Sequence, residues 1–110
     1  MRLPPASVAA ELRDALGQPL VALIAGVSDV KAVGEWARAQ RKPAPEALAR
    51  LRDAHHVLGI LRRREAPDTI TAWFRGMNPD LEDKSPALTL RENPQAVLAA
   101  ARAFVESPDD

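Results

Sequence analysis

Few of the acidic and histidine side chains in this 110-residue sequence have a spacing that suits acid–base or metal chemistry. His55 and His56 are neighbours on a predicted helix, about 100° apart around its axis, so they cannot chelate one metal ion or act as base and orienting partner without a distant third group. Glu82 and Asp83 fall in a predicted open loop, where nothing would raise a carboxyl pKa. The four serines are placed as caps and turns.

Known catalytic motifs are also missing from the sequence. It has no cysteine, which excludes a thiolate zinc site, a disulfide scaffold and a cysteine nucleophile. It contains no glycine-flanked serine elbow, HExxH motif, phosphate loop or dinucleotide fingerprint. We therefore expect a protein that is not an enzyme and that has no catalytic residues, no cofactor and no metal site.

Composition points to one helical domain. Alanine occurs 21 times and leucine 13 times, tyrosine is absent, and no segment alternates apolar and polar residues as a half-buried strand would. The predicted fold class is all-α, with a helix-turn-helix bundle followed by a small helical module. No apolar run is long enough for a membrane span and no signal-peptide stretch is seen, so we expect a cytoplasmic protein without membrane contact.

The helices are expected from their caps, prolines and apolar stripes. Two regions result: a helix-turn-helix region at 1–43, and a region at 44–110 with a long linking helix and a C-terminal module. The predicted helices are Ser7 (cap) to Leu16, Leu20 to Ala25, Asp29 to Gln40, Pro45 to Arg64, Thr69 to Arg75 with Asp68 as cap, a short turn at Ala87 to Leu90, and a last helix opened by Asn93-Pro94. Gly17, Gly26 and Gly76 are the expected left-handed helix stops.

Charge is distributed unevenly although the net charge is zero. Residues 1–30 carry two basic and three acidic side chains, residues 31–64 nine and three, and residues 65–110 four and nine. Such asymmetry is typical of surfaces with different partners, although clustering on solvated helix faces is the alternative. The basic middle predicts phosphate contact, and the acidic end predicts a partner protein with a positive cleft.

The first half has the pattern of a DNA-binding unit, in which a second helix can enter the major groove while nearby cations meet phosphates. Ala22, the turn Gly26-Val27-Ser28, Val33 and Trp36 resemble the packing residues of Xre-type helix-turn-helix repressors. One extra residue between Gly26 and Val33 predicts that the recognition helix starts late or is rotated. The candidate DNA-binding residues are Ser28, Lys31, Arg38, Arg41 and Lys42. A helical hairpin that packs but binds nothing remains the alternative.

The second half resembles a more specific family. The resemblance rests on Trp73-Phe74, Asn78-Pro79, Leu81, Ser85-Pro86, Leu88 to Leu90, and a last helix through Val97 and Phe104. This order and spacing are similar to the C-terminal toxin-binding domain of Xre/MbcA/ParS-type antitoxins. The sequence departs from that family at Asp83, where glycine is usual. Aspartate tolerates the left-handed region, so the loop is expected to keep its shape.

That resemblance implies an antitoxin of a type II toxin–antitoxin system that occludes the active site of a RES-domain toxin, a class that consumes NAD. The toxin-binding candidates are Trp73, Arg75, Met77, Asn78, Leu81, Ser85, Pro86, Leu88, Arg91, Glu106, Asp109 and Asp110. The acidic end would pair with arginines of a dinucleotide cleft. We expect at least one of Trp73 and Phe74 to lie in the core, together with Leu90 and Phe104, rather than in direct contact with the toxin.

Two further expectations concern DNA and assembly. Binding to operator DNA, as a homodimer or as a hetero-oligomer with the toxin, would allow the chain to regulate its own operon. The alternatives are a stand-alone helix-turn-helix transcription regulator with no toxin, and a helical adaptor that binds neither DNA nor toxin.

Overall fold

The computed structural model describes residues 2–107, and within this range it contains helices but no strand, which confirms the all-α class. The candidate residues Asp109 and Asp110 lie outside the described residues. The helices are α1 (Pro5–Leu16), α2 (Gln18–Ala25), α3 (Lys31–Ala37), α4 (Pro45–Leu61), α5 (Pro67–Arg75), a short 3₁₀ turn (Pro79–Leu81), α6 (Pro86–Thr89) and α7 (Pro94–Glu106).

Proline sets most of the helix starts. Every α-helix of the described range except α3 has proline at its first or second position. Proline has a fixed φ that suits the first turn, and its missing N–H would have no partner there. The predicted caps Ser7 and Asp68 were therefore wrong, because α1 already begins at Pro5 and α5 at Pro67.

Helix α3 is shorter than the predicted 29–40. It begins at Lys31, whose N–H donates to Oδ1 of Asp29 at 3.0 Å, so the Asp29 side chain satisfies a free N–H at the start of the helix. It ends at Ala37, and Ala39 then takes a left-handed φ of 59° that directs the chain away. Val30 precedes the helix and is 37% exposed.

Two other predicted ends also shift. Helix α4 ends at Leu61 rather than at Arg64, and the three arginines that follow continue as turns. Gly76 ends α5 in an extended conformation with φ −80°, so the predicted left-handed stop was wrong there. The same prediction was right for Gly26, which has φ 81° and ψ 26°.

The core is one cluster of buried side chains that runs through both predicted regions. Helix α4 packs against α1, α2 and α7, and its Leu51, Leu58 and Leu61 have no exposed surface. Trp36 from α3 and Phe74 from α5 are the largest fully buried side chains. Burial of apolar surface of this kind is the main stabilising contribution to such a fold.

Candidate functional site

The segment 77–88, which we call the recognition loop, is folded around Asn78. The side-chain Oδ1 of Asn78 accepts a hydrogen bond from the N–H of Asp80 at 2.9 Å. The carbonyl of Asn78 accepts from the N–H groups of Leu81 and Asp83, and its own N–H donates to the carbonyl of Lys84 at 3.1 Å. These bonds close the loop on itself, so its shape does not depend on a partner.

Two consecutive residues of this loop, Glu82 and Asp83, have left-handed φ values of 59° and 63°. The prediction that Asp83 adopts this region in place of glycine is confirmed. Non-glycine residues there are strained, and they persist where the surrounding structure fixes them. Leu81, only 5% exposed, anchors the loop in the core.

The far end of the loop is fixed by Ser85, whose Oγ accepts from the N–H of Leu88 at 3.2 Å and caps α6. Pro86 follows as the first residue of that helix and is buried. Leu81 and Pro86 were candidates for contact with a toxin. Their burial gives them a supporting position beneath the loop surface, since a buried side chain offers little area to a partner.

Apolar side chains are exposed on and beside the recognition loop. Met77 is 82% exposed and Leu88 is 45% exposed. Phe104 of α7 is 38% exposed, so its predicted core position was wrong. Trp73 is half-buried between two rings, with centroids 5.4 Å from Phe74 and 6.2 Å from Phe104.

Seven of the toxin-binding candidates line two depressions of the surface. Trp73, Met77 and Asn78 line a groove of about 280 Å³ against Phe104, which we call the aromatic groove. Arg75, Ser85, Leu88 and Arg91 line a separate, larger cleft. Glu106 is the last residue of α7 and is exposed.

The five candidate DNA-binding residues are all exposed around α3. Two of the cations already have local partners: Arg41 is 3.4 Å from Oε1 of Glu35, and Nε of Arg38 donates to Gln40 at 3.3 Å. Among residues 2–107, Lys31 and Lys42 form no ion pair. Lys31 and Lys42 are therefore the cations of this set that remain available to phosphate.

Sequence reasoning missed Arg50. Its Nη1 donates to the carbonyl of Ala25 at the end of α2, at 3.0 Å, and the side chain is half-buried. A cation at a helix C-terminus stabilises the orphan carbonyls and the negative end of the helix dipole. Helical periodicity could have indicated that Arg50 is partly buried, because residue 50 lies beside the buried stripe of Ala47, Leu51 and Ala54 on α4.

The histidines have a structural setting. Nε2 of His55 lies 2.9 Å from Oε1 of Glu11, which joins α4 to α1; His55 is half-buried, whereas His56 is exposed. The hydrogen bond from His55, with a smaller contribution from Arg62, holds the pKa of Glu11 below its usual value against the effect of burial. No group of three or more metal-ligating side chains occurs within residues 2–107.

Burial has the opposite effect on Asp53. It raises the pKa of this carboxyl above the usual value, and the nearby His56 only partly offsets the increase.

The described part of the chain contains no helix long and apolar enough to cross a membrane. Comparison with protein-family models, with curated proteins and with solved structures found no match to this chain.

Proposed function

We propose that this protein is the antitoxin of a type II toxin–antitoxin system, and that its recognition loop and aromatic groove bind and occlude a RES-domain toxin. The observation that carries the proposal is the preformed loop 77–88. It holds two strained residues in place with internal hydrogen bonds and leaves Met77 at 82% exposure. Strained, rigid loops with exposed apolar side chains are typical of binding sites.

A preformed loop favours tight association with a protein because little conformational entropy is lost when it docks. Burying an exposed Met or Leu side chain contributes about 1.5–3 kcal/mol, so Met77 and Leu88 together are sufficient to act as interface anchors. The half-buried Trp73 and the exposed Phe104 line the aromatic groove together with Met77. The acidic side chain of Glu106 lies at the end of the same helix, where it can meet a positive cleft.

The proposal requires a RES-domain protein encoded beside this chain, and the test is co-expression of the two proteins, followed by size-exclusion chromatography and a measurement of cellular NAD. We expect a joint elution peak and preserved NAD. Met77→Asp and Leu88→Asp should each weaken the complex by about 10-fold or more, because a charge would be buried in an apolar contact.

Leu23→Asp is the matched control. Leu23 of α2 is 42% exposed, which is similar to the 45% of Leu88, but it lies outside the recognition loop. It should leave the complex intact. The proposal is wrong if the two proteins elute separately under gentle conditions, or if all three aspartate variants weaken the complex equally.

DNA binding by α2 and α3 is the second candidate function, and it would make the chain a regulator of transcription with or without a toxin. The exposed cations around α3 favour it, Lys31 and Lys42 in particular. Affinity for the gene's own promoter should fall steeply with added salt, as counterion release requires, and Lys31→Gln should reduce that slope. Absence of promoter binding at low salt would exclude this role.

A further inference from the structure

A second feature of the surface is a basic cleft of about 790 Å³, separate from the aromatic groove. Its cations are Arg50 of α4, Arg75 at the end of α5, Lys84 of the recognition loop, and Arg91 just after α6. Residues 65–110 contain only four basic residues against nine acidic ones, and three of those four line this cleft. The fold thus concentrates positive charge within the acidic part of the chain.

The arginines converge at Gly26, in the turn between α2 and α3. A Cβ at Gly26 would lie 2.7 Å from Nη1 of Arg50 and 3.5 Å from Nε of Arg91. The two guanidinium groups therefore approach the same point on the backbone. There is room for both because glycine has no Cβ at this position.

Within residues 2–107, no carboxylate neutralises these two like charges. In that range Arg50 has only the Ala25 carbonyl as hydrogen-bond partner, and neither Arg50 nor Arg91 forms an ion pair with a carboxylate. Two carboxylates also line the cleft, but Glu92 is occupied with Lys84 at 3.8 Å, and Asp83 pairs with none of the arginines. Paired guanidinium groups without a carboxylate are suited to an anion, above all to phosphate.

We propose that this cleft is a phosphate-binding site, in which Arg50 and Arg91 bind one phosphate group beside Gly26 and Arg75 contributes to the positive rim. The inference goes beyond the toxin-binding proposal, because it concerns a different ligand and rests on Arg50 and Arg91, although Leu88 of the recognition loop also lines this cleft. The phosphate can belong to a small molecule or to a nucleic-acid backbone. In either case the group that the arginines bind is the same. The bound phosphate would bridge the α2–α3 turn to the segment that carries the recognition loop.

The test is a titration of the isotopically labelled full chain with sodium pyrophosphate at constant ionic strength, followed by NMR of the Gly26 amide and the arginine Nε–H groups. A parallel titration uses a short DNA duplex of random sequence. We expect saturable shifts at Gly26, Arg50 and Arg91. A response to pyrophosphate identifies a small phosphorylated ligand as the source, and a response to the duplex alone identifies backbone phosphate.

Arg91→Gln provides the variant, since Arg91 is exposed and its side chain makes no hydrogen bond or ion pair with any residue of the described range 2–107. Loss of one charge-assisted contact should weaken binding by about 10-fold. Arg102→Gln removes the same charge from α7, away from the cleft, and should change affinity less than about 2-fold. The site does not exist if neither probe shifts these resonances saturably, or if the two variants weaken binding equally.

Discussion

Replacement of Gly26 by alanine should destabilise the fold by about 1–2 kcal/mol, although alanine is the better helix former. Gly26 has φ 81° and ψ 26°, which an L-residue adopts at a cost of about 1–2 kcal/mol. The new Cβ would lie 2.7 Å from Nη1 of Arg50. It would push the flexible guanidinium off the Ala25 carbonyl, and such a hydrogen bond contributes about 0.5–1.5 kcal/mol. Alanine also reduces the conformational entropy of the unfolded chain, which offsets about 0.4–1 kcal/mol of this destabilisation.

Gly59→Ala is the matched control, because it makes the same chemical change in the middle of α4. A Cβ at Gly59 has no neighbouring atom within 4 Å, and the site is exposed. Alanine should stabilise this helix by about 0.5–1 kcal/mol. Urea unfolding followed by circular dichroism gives both free energies, with the midpoint expected to fall for the first variant and to rise for the second. Midpoints that move in the same direction would refute the assignment of Gly26 as an obligatory left-handed stop.

Two further predictions concern the ends and the pH response of the helices. Ala39 has a φ of 59° just after α3, where the Gln40 N–H donates to the Glu35 carbonyl. Glycine adopts this conformation without strain, so Ala39→Gly should stabilise the fold by about 1 kcal/mol. An unchanged or lower urea midpoint would contradict this. The His55 hydrogen bond lowers the folded-state pKa of Glu11, so the carboxylate stabilises the fold above its usual pKa and loses this effect as pH falls through the folded value. Glu11→Gln should therefore lower Tm more at about pH 7 than at about pH 3.5, and an equal loss at both would exclude the pair.

The amino-acid sequence determined the features that depend on neighbours within a few residues. Proline at the helix starts, the Asn93 side chain that accepts from the Ala96 N–H, and the Asn78 and Ser85 caps are all local interactions. Their energies involve groups three or four positions apart, so they can be derived without knowledge of the rest of the chain. The anchoring of Leu81 followed from the same reading, because it is the only apolar residue in an otherwise polar loop segment, 78–85.

Tertiary structure alone decided which distant groups meet. Glu11 and His55 lie 44 positions apart, and Arg50 of α4 and Arg91 in the turn after α6 approach Gly26 from distant parts of the sequence, so no spacing rule connects them. Phe104 continues the apolar stripe of α7, but the packing of that helix leaves it 38% exposed beside Trp73. An apolar stripe shows which face of a helix is to be buried, whereas the length of the face that is covered depends on the positions of the other helices.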